Sequence, residues 1–126
     1  LGERRYVPLG GGSARGPELN GTLVEGGVDW QIARGDGVLE IAAHYVIRAD
    51  DGGLIEVRSE GLRHGPPAVM EQLARGESVP RDAYFFRTLV RFTTGASAWQ
   101  HLNKVMAIAC GQREARLVLL DVYRLG

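Results

Sequence analysis

The sequence predicts an all-β fold, a small antiparallel β-barrel of roughly eight strands with one short helix. Three observations predict it: 18 glycines in 126 residues, short apolar runs between them, and two turn signals that combine aspartate with glycine. Frequent glycines between apolar runs are typical of strand-and-turn proteins. We therefore expect residues 1–126 to form a single β-barrel domain.

Short apolar runs separated by turn residues define the candidate strands. The Gly-Asp-Gly stretch at 35–37 and the Asp-Asp-Gly-Gly stretch at 50–53 have the composition of tight turns, which need residues that tolerate positive φ. They join three successive strands as a meander. The candidate strands are Arg4–Leu9, Gly21–Glu25, Val28–Ala33, Val38–Ala49, Leu54–Glu60, Tyr84–Thr94, Lys104–Cys110 and Ala115–Leu125.

Two segments interrupt the β pattern. Pro66 and Pro67 precede the stretch Ala68–Arg75, and Gly76 follows it. Proline at a helix start and glycine just after its end are typical of a short helix. A second helical turn is expected over Ser97–Asn103, because its larger side chains share one face at i, i+3 and i+4 spacing.

Composition and charge exclude several classes of protein. Apolar residues make up 44% and charged residues 24%, and no apolar run approaches the roughly 20 residues of a membrane-spanning helix. The 15 basic and 15 acidic residues cancel, so the positive field of a nucleic-acid-binding protein is missing. Cys110 is the sole cysteine, which excludes an internal disulfide. We expect no nucleic-acid or membrane partner and, by default, a cytoplasmic location.

No motif points to a metal or a cofactor. The histidines His44, His64 and His101 are far apart and lack metal-ligand spacing. The Gly-Gly-Gly-Ser run at 10–13 lacks the Lys-Ser/Thr of a phosphate-binding loop, which favours a turn or bulge. No Gly-x-Ser-x-Gly nucleophile elbow is present. The sequence therefore predicts neither a cofactor nor a metal site.

Three polar residues within apolar strand segments are the candidate catalytic residues: Asp29, Tyr45 and Arg87. Burying such groups without partners is costly, so each needs a partner or a ligand. We expect Arg87 to face a cavity and bind a carboxylate or enolate oxygen, with Asp29 exchanging a proton beside it and Tyr45 donating a hydrogen bond. The structural alternatives are an Asp29–Arg87 ion pair, which would lower the pKa of Asp29, and a core tyrosine.

Four further residues are candidates for ligand binding: Trp30, Trp99, His101 and Asn103. Trp30 follows Asp29 directly, and the other three fall on the predicted helical turn, where His101 can lie at a barrel mouth. Structural alternatives remain open, because Trp30 can belong to the core, His101 can face solvent, and Asn103 can cap a turn.

Several short strings carry a resemblance that covers nearly the whole chain from about residue 11 onward. They are Gly26-Gly27-Val28-Asp29-Trp30-Gln31, Ala43-His44-Tyr45, Asp51-Gly52, Phe85-Phe86-Arg87-Thr88, Leu102-Asn103 and Asp121-Val122-Tyr123. In these strings the sequence resembles domain of unknown function 3237, a bacterial and fungal family of UPF0311-type proteins. The resemblance implies a small calycin-like or allene-oxide-cyclase-like antiparallel barrel without an established general activity. Members usually have another strand upstream of Arg4 and Arg5, which implies that the N-terminal strand is either truncated or disordered here.

Two departures from the family pattern bear on the ligand. The family more often has arginine at the position of His44, and a Tyr-x-Trp-Leu-Asn pattern where residues 99–103 read Trp-Gln-His-Leu-Asn. If the family's tryptophan lines a pocket, His101 replaces a stacking wall by a titratable group. The resemblance therefore does not imply a shared substrate.

The expected function is binding of a small organic acid or phenolic ligand in the barrel lumen. The sequence leaves open whether the protein also transforms that ligand without a cofactor, as an isomerase, cyclase or lyase. The alternative is a non-catalytic module that binds small molecules or forms oligomers. Formation of a homo-oligomer is likewise left open.

Overall fold

The computed structural model describes residues 2–114 and 117–125. In these residues eight antiparallel strands form one sheet with short helical segments, which confirms the predicted all-β barrel class. The strands are β1 (Glu3–Leu9), β2 (Gly12–Ala14), β3 (Gly21–Ala33), β4 (Leu39–Ala49), β5 (Leu54–His64), β6 (Phe85–Thr93), β7 (Met106–Arg113) and β8 (Val118–Arg124). The helical segments are α1 (Pro67–Ala74) and the 3₁₀ helices Arg81–Ala83 and Ser97–Lys104.

The strands follow the order β1-β3-β4-β5-β6-β7-β8, and β2 pairs with the first residues of β3. The sheet curls around its interior, because side chains from strands that are far apart in this order pack into one cluster. That cluster includes Leu23 of β3, Val57 of β5, Val90 of β6, Ala109 of β7 and Leu120 of β8. A sheet whose distant strands share one core has the geometry of a barrel.

The interior contains two groups of buried side chains. The apolar core is closed by the 3₁₀ helix Ser97–Lys104 and consists of Ile47, Ala49, Ile55, Val57, Val90, Leu102, Val105, Ala107 and Ala109. The α1 cluster is covered by α1 and consists of Leu39, Ile41, Leu73, Val79, Tyr84 and Phe86. Helical segments therefore cover both groups of interior side chains.

The turns and helix boundaries predicted from proline and glycine positions are largely confirmed. α1 begins directly after Pro66, with Pro67 in its first turn, and Gly76 beyond its end has φ +79°. Gly37 and Gly52 adopt positive φ in the two predicted turns. The predicted second helical turn is the 3₁₀ helix Ser97–Lys104.

Several boundaries differ from the predicted ones. The strands predicted over Gly21–Glu25 and Val28–Ala33 form one continuous strand, and the short strand β2 was not predicted. β5 continues four residues beyond its predicted end at Glu60, to His64, and β7 continues three residues beyond its predicted end at Cys110, to Arg113. The last predicted strand begins at residues 115–116, which lie outside the described residues.

A β-bulge in β3 explains why two strands were predicted there. Val24 pairs with Val46 and Val28 pairs with His44, so three residues of β3 lie opposite Tyr45 alone. A glycine is required at position 27, because a Cβ there would lie 2.7 Å from the Cβ of Tyr45. Since the bulge adds two residues, the alternation of inward and outward side chains continues unchanged along β3.

Candidate functional site

A polar cluster lies on the inner face of the sheet. β3 contributes Asp29 and Gln31, β5 contributes Arg63, and β7 contributes Arg113. Gln31 faces inward because its cross-strand partner is the buried Ile41. Asp29, two residues earlier on the same strand, shares that face. The fold thus places acidic, amide and cationic side chains in one interior region.

Arg63 is the most deeply buried member of this cluster. Its cross-strand partners Leu39 and Phe86 are buried, and only 7% of Arg63 is exposed. Its Cζ lies 5.6 Å from the centroid of the Phe86 ring, and its Nε has no hydrogen-bond partner. Among the described residues, no carboxylate oxygen lies within 4.0 Å of its guanidinium. Burial and then the charge of Arg113 lower the pKa of Arg63 to about 10, so it stays protonated at neutral pH.

One carboxylate oxygen of Asp29 accepts a hydrogen bond, and the other has no hydrogen-bond partner. The Nε2 of Gln31 donates a hydrogen bond of 2.7 Å to Oδ2 of Asp29, whereas Oδ1 is buried without a hydrogen-bond partner. Burial raises the pKa of Asp29, and this effect outweighs the hydrogen bond from Gln31 and the attraction of Arg63 and Arg113. Asp29 therefore holds a proton more strongly than an exposed aspartate does.

A half-open cavity of about 280 Å³ lies beneath α1. Gln31, Arg63 and Arg113 of this cluster line it, whereas Asp29 is hydrogen-bonded to Gln31 and is not itself part of the wall. Met70 and Ala74 of α1 form part of the cavity wall. Among the described residues, four arginines line it: Arg5, Arg34, Arg63 and Arg113. The rest of its wall consists of Gln31, Ala33, Gly37, Val38 and Leu39. A cavity lined by this many guanidinium groups attracts anions.

Tyr84 connects the α1 cluster to the end of β7 at this cavity. Its buried hydroxyl accepts a hydrogen bond of 2.8 Å from the backbone N–H of Arg113. The side chain of Arg113 donates from Nε to the carbonyl oxygen of Glu114 at 3.2 Å. These two contacts hold the last residue of β7 against the cavity wall.

The sequence pattern did not single out Arg63, Arg113, Gln31 or Tyr84. The predicted strand ends at Glu60, so Arg63 fell outside it. Continuing the alternation of buried residues from Ile55 and Val57 through Gly61 reaches Arg63 on the inner face. That alternation is the signal by which Arg63 could have been found.

Arg87 does not face the interior, which corrects the expectation that it lines a cavity. The buried residues of β6 are Phe86, Thr88 and Val90, so the alternation places Arg87 on the exposed outer face. Its Cζ lies 5.6 Å from the Phe85 ring, and NH1 donates a hydrogen bond to the carbonyl oxygen of Phe86 at 2.9 Å. The outer face of β6 is also partly apolar, which is why the apolar sequence around Arg87 did not indicate burial.

Tyr45 and Trp30 lie near Asp29 along the strands. Tyr45 is on the inner face of the sheet and Trp30 is on the outer face. Tyr45 packs against the apolar core, and burial raises the pKa of its hydroxyl. Trp30 is 56% exposed on the outer face, where it lines a depression of about 230 Å³ together with His44. Nε2 of His44 lies 3.0 Å from Oε1 of Glu56. Of the predicted catalytic residues, Asp29 and Tyr45 share the inner face.

Trp99, His101 and Asn103 lie on the 3₁₀ helix that closes the apolar core, away from the cavity beneath α1. Nε1 of Trp99 donates hydrogen bonds to both carboxylate oxygens of Asp51, at 3.1 and 3.0 Å. The exposed His101 ring lies 6.2 Å from the Trp99 ring. Asn103 accepts from the backbone N–H of Thr94 and donates to its carbonyl oxygen. The fold therefore separates these three residues from Asp29.

Across residues 2–114 and 117–125, no group of three or more His, Cys, Asp or Glu side chains is arranged to hold a metal ion. In the same part of the chain, no helix has both the length and the apolar character needed to cross a membrane.

Comparison with known proteins identifies the family. The family described as protein of unknown function DUF3237 matches residues 1–125. The chain belongs to this family. A UPF0311 protein of Clostridium acetobutylicum is 35% identical over 125 residues, which cover 99% of this chain and 79% of that protein. A UPF0311 protein of Rhodopseudomonas palustris is 35% identical over 123 residues, covering 98% of this chain and 80% of the relative.

Solved structures of similar proteins have the same architecture. A conserved protein of unknown function from Rhodopseudomonas palustris superposes with a TM-score of 0.92 at 35% identity, covering 96% of this DUF3237 chain and 81% of the other. A protein from Acinetobacter baumannii described as β-barrel-like gives a TM-score of 0.84 at 35% identity, covering 99% and 80%. A protein described as an enzyme from Penicillium herquei gives 0.71 at 22% identity, covering 98% and 75%. The last likeness concerns the fold alone.

Proposed function

We propose that this chain binds a small organic acid in the cavity beneath α1, and that Asp29, which contacts the cavity wall through Gln31, exchanges a proton with the part of the ligand that reaches past Gln31. The observation that carries the proposal is Arg63, a buried guanidinium with an unpaired Nε and no carboxylate within 4.0 Å among the described residues. A buried charge is costly unless an anion and hydrogen bonds compensate it. A ligand carboxylate would supply both.

The chemistry of the cavity wall suits a carboxylate. A guanidinium presents its N–H groups in a planar fork that matches the two oxygens of a carboxylate. Arg113 lines the same cavity and adds a second guanidinium, and Gln31 adds an amide. The volume of about 280 Å³ is close to the lower limit of roughly 300 Å³ for ligand pockets. The ligand is therefore a compact acid.

Asp29 supports acid–base chemistry on such a ligand. Burial moves the pKa of Asp29 toward neutral pH, and a general acid or base works best with a pKa near the working pH. In the proposed reaction, the Asp29 carboxylate removes a proton from the carbon next to a carbonyl or carboxylate of the ligand. The electron pair of that C–H bond moves onto the oxygen, and Arg63 stabilises the resulting enolate.

When the ligand carries a carbon–carbon double bond next to that carbon, the enolate is conjugated with it. Return of the proton from Asp29 to the far carbon of this double bond then shifts the double bond and completes an isomerisation. The ligand then keeps its composition and its oxidation state, and Asp29 returns to its starting form. Proton transfers of this kind also serve cyclases and lyases that act without a cofactor. Asp29 would be the catalytic residue, and Arg63 would bind the reacting group.

A non-catalytic role is the second candidate function. It is favoured by the position of the Arg63 guanidinium 5.6 Å from the Phe86 ring and by its attraction to Asp29. In this case the two charges compensate each other across the interior and join β3 to β5. The protein would then be a binding or oligomer-forming module without a reaction.

Binding of short mono- and dicarboxylates to purified protein, measured by isothermal titration calorimetry, tests the proposal. We expect at least one of these acids to bind, and Arg63→Met to weaken that binding by about tenfold to a hundredfold, because a charge-assisted bidentate contact is lost. Arg87→Met is the matched control, since Arg87 is an exposed arginine on the neighbouring strand. It should leave the affinity unchanged.

The unfolding free energy of the same variants separates the two candidate functions. If Arg63 serves the ligand, Arg63→Met should keep the fold at little cost, because methionine still packs against Phe86. If Arg63 is structural, its removal should cost about 3–5 kcal/mol, the usual effect of breaking a buried charge pair. That cost, together with no carboxylate binding to the unmodified protein, would overturn the proposed function.

A further inference from the structure

The arginines of the cavity beneath α1 fall into two classes. Arg5 has its Nε 3.5 Å from a carboxylate oxygen of Glu3, and Arg34 forms ion pairs with Asp36 and Glu40. Their charges are therefore already compensated at the protein surface. These two arginines do not require an anion from a ligand.

Arg63 and Arg113 are different. Within residues 2–114 and 117–125, neither has a carboxylate oxygen within 4.0 Å of its guanidinium. The side-chain hydrogen bond of Arg113 goes to a backbone carbonyl, that of Glu114, which carries no net charge. Each of the two guanidinium groups therefore offers a full positive charge to the cavity.

The two cations also repel each other. The charge of Arg113 lowers the pKa of Arg63, so the two groups are close enough to interact. They come from β5 and β7, on either side of β6, and both line the same cavity. A single dianion placed between them would remove this repulsion and compensate both charges.

The other neighbours described in the structure do not pair directly with these two charges. α1 contributes Met70 and Ala74 to the cavity wall, and neither is ionisable. Asp29 is the carboxyl group whose attraction reaches Arg63, but among the described residues its oxygens lie more than 4.0 Å from both guanidinium groups. Tyr84, which also influences Arg63, uses its oxygen to accept the N–H of Arg113.

We propose that the ligand is a compact dicarboxylate, with one carboxylate bound by Arg63 and the other by Arg113. This inference rests on the proposed function, since it names the class of acid that the same cavity binds. Arg63 is the buried anchor beside Asp29, and Arg113 is the half-buried anchor that selects for the second carboxylate. A monocarboxylate would leave one guanidinium uncompensated.

Succinate and butyrate form a suitable pair of probes, because they have the same number of carbons and differ by one carboxylate. We expect the unmodified protein to bind succinate at least about tenfold more tightly than butyrate, as one charge-assisted contact is gained. Isothermal titration calorimetry at constant ionic strength measures both dissociation constants. Constant ionic strength is needed because salt screens the two charges of succinate more strongly.

Arg113→Gln should reduce the preference for succinate to about twofold or less while butyrate still binds. The backbone N–H that Tyr84 accepts is retained in this variant, so the fold should be kept. Arg113→Lys is the second variant, because it keeps the charge but loses the planar fork, and an intermediate preference is expected. Arg87→Gln, on the outer face, should preserve the full preference.

The outcomes separate this inference from the proposed function. Equal affinities for succinate and butyrate, with Arg63→Met weakening both, would overturn the dicarboxylate assignment and leave the proposed function standing. An unchanged succinate preference in Arg113→Gln would likewise overturn the role of Arg113. No binding of either acid or of any other short carboxylate would overturn both.

Discussion

The apolar core and the cavity beneath α1 occupy the same barrel interior but are built in opposite ways. In the apolar core, Ile55, Val57 and Ala109 are at most 1% exposed and present only hydrocarbon to one another. Beside the cavity, the equally inward-facing Arg63 and Asp29 each leave a buried polar atom without a partner. The difference indicates that one region provides stability, whereas the other leaves polar groups uncompensated at the expense of stability.

The boundary between these regions shows that the fold is able to satisfy buried polar groups. Ser59 of β5 and Thr88 of β6 are diagonal neighbours on the inner face, both are buried, and the Ser59 hydroxyl donates to Oγ1 of Thr88 at 2.7 Å. This pair is complete within the protein. The unpaired Nε of Arg63 is therefore a local feature of the cavity rather than a general property of the interior.

The largest expected effect is in the apolar core. Ile55→Ala removes a side chain that is 0% exposed, so it should lower the free energy of unfolding by about 2–5 kcal/mol. Leu54→Ala is the matched control, because Leu54 is the adjacent residue on β5 and 50% exposed, and its effect should be under about 1 kcal/mol. Urea unfolding measures both. Equal losses would contradict the distinction between buried and exposed faces of β5.

A smaller effect is expected at the boundary. Ser59→Ala leaves the buried Thr88 hydroxyl without its partner and should cost about 1–3 kcal/mol. Thr88→Val in the same background removes the orphaned hydroxyl and should recover part of that loss. A double-mutant cycle by urea unfolding measures the coupling. Additive effects of the two substitutions would show that the hydrogen bond does not matter to stability.

The smallest expected effect concerns the charge of Asp29. Burial raises its pKa in the folded state, so the folded protein holds the proton more strongly than the unfolded chain does. The free energy of unfolding that Asp29 contributes is therefore lost as pH rises from 3.8, the ordinary aspartate pKa, through the higher pKa of Asp29 in the folded protein. Asp29→Asn should abolish that loss and be more stable than the unmodified protein at neutral pH, by about 1 kcal/mol or less.

Comparing the pH dependence of stability in the unmodified protein and in Asp29→Asn separates the effect of Asp29 from that of other titrating groups. Hydrogen bonds lower the pKa values of Asp36 and Asp51, so these carboxyl groups contribute a stability that grows with pH in both proteins. Only the difference between the two stability curves reports on Asp29. A difference that grows in favour of the unmodified protein as pH rises would contradict the raised pKa.

Much of the fold was predictable because its signals are local. Glycine and aspartate marked the turns that contain Gly37 and Gly52, and Pro67 and Gly76 marked α1. Each of these residues constrains the backbone within a few positions of itself, whatever the rest of the chain does. The bulge at Gly26 and Gly27 was recognised only as an interruption, because its effect depends on the partner strand.

The candidate site was predictable only in part, and the two arginines show why. Alternation along β6 puts Arg87 on the face opposite Phe86 and Thr88, but alternation alone does not say which of the two faces is the interior. Arg63 lies outside the predicted strand, which ends at Glu60, directly before Gly61. In the structure Gly61 continues β5, where a Cβ would lie 1.9 Å from the carbonyl oxygen of Arg87.

The sequence by itself therefore determined the β class, the turns, the helix positions and the polar character of Asp29 within an apolar strand. Only the tertiary structure decided that Asp29 shares an interior with Arg63 and Arg113 rather than with Arg87. The physical reason is that strand alternation is a property of one segment, whereas the inner face is defined by the curl of the whole sheet. Side chains from β3, β5 and β7 meet only after that curl has formed.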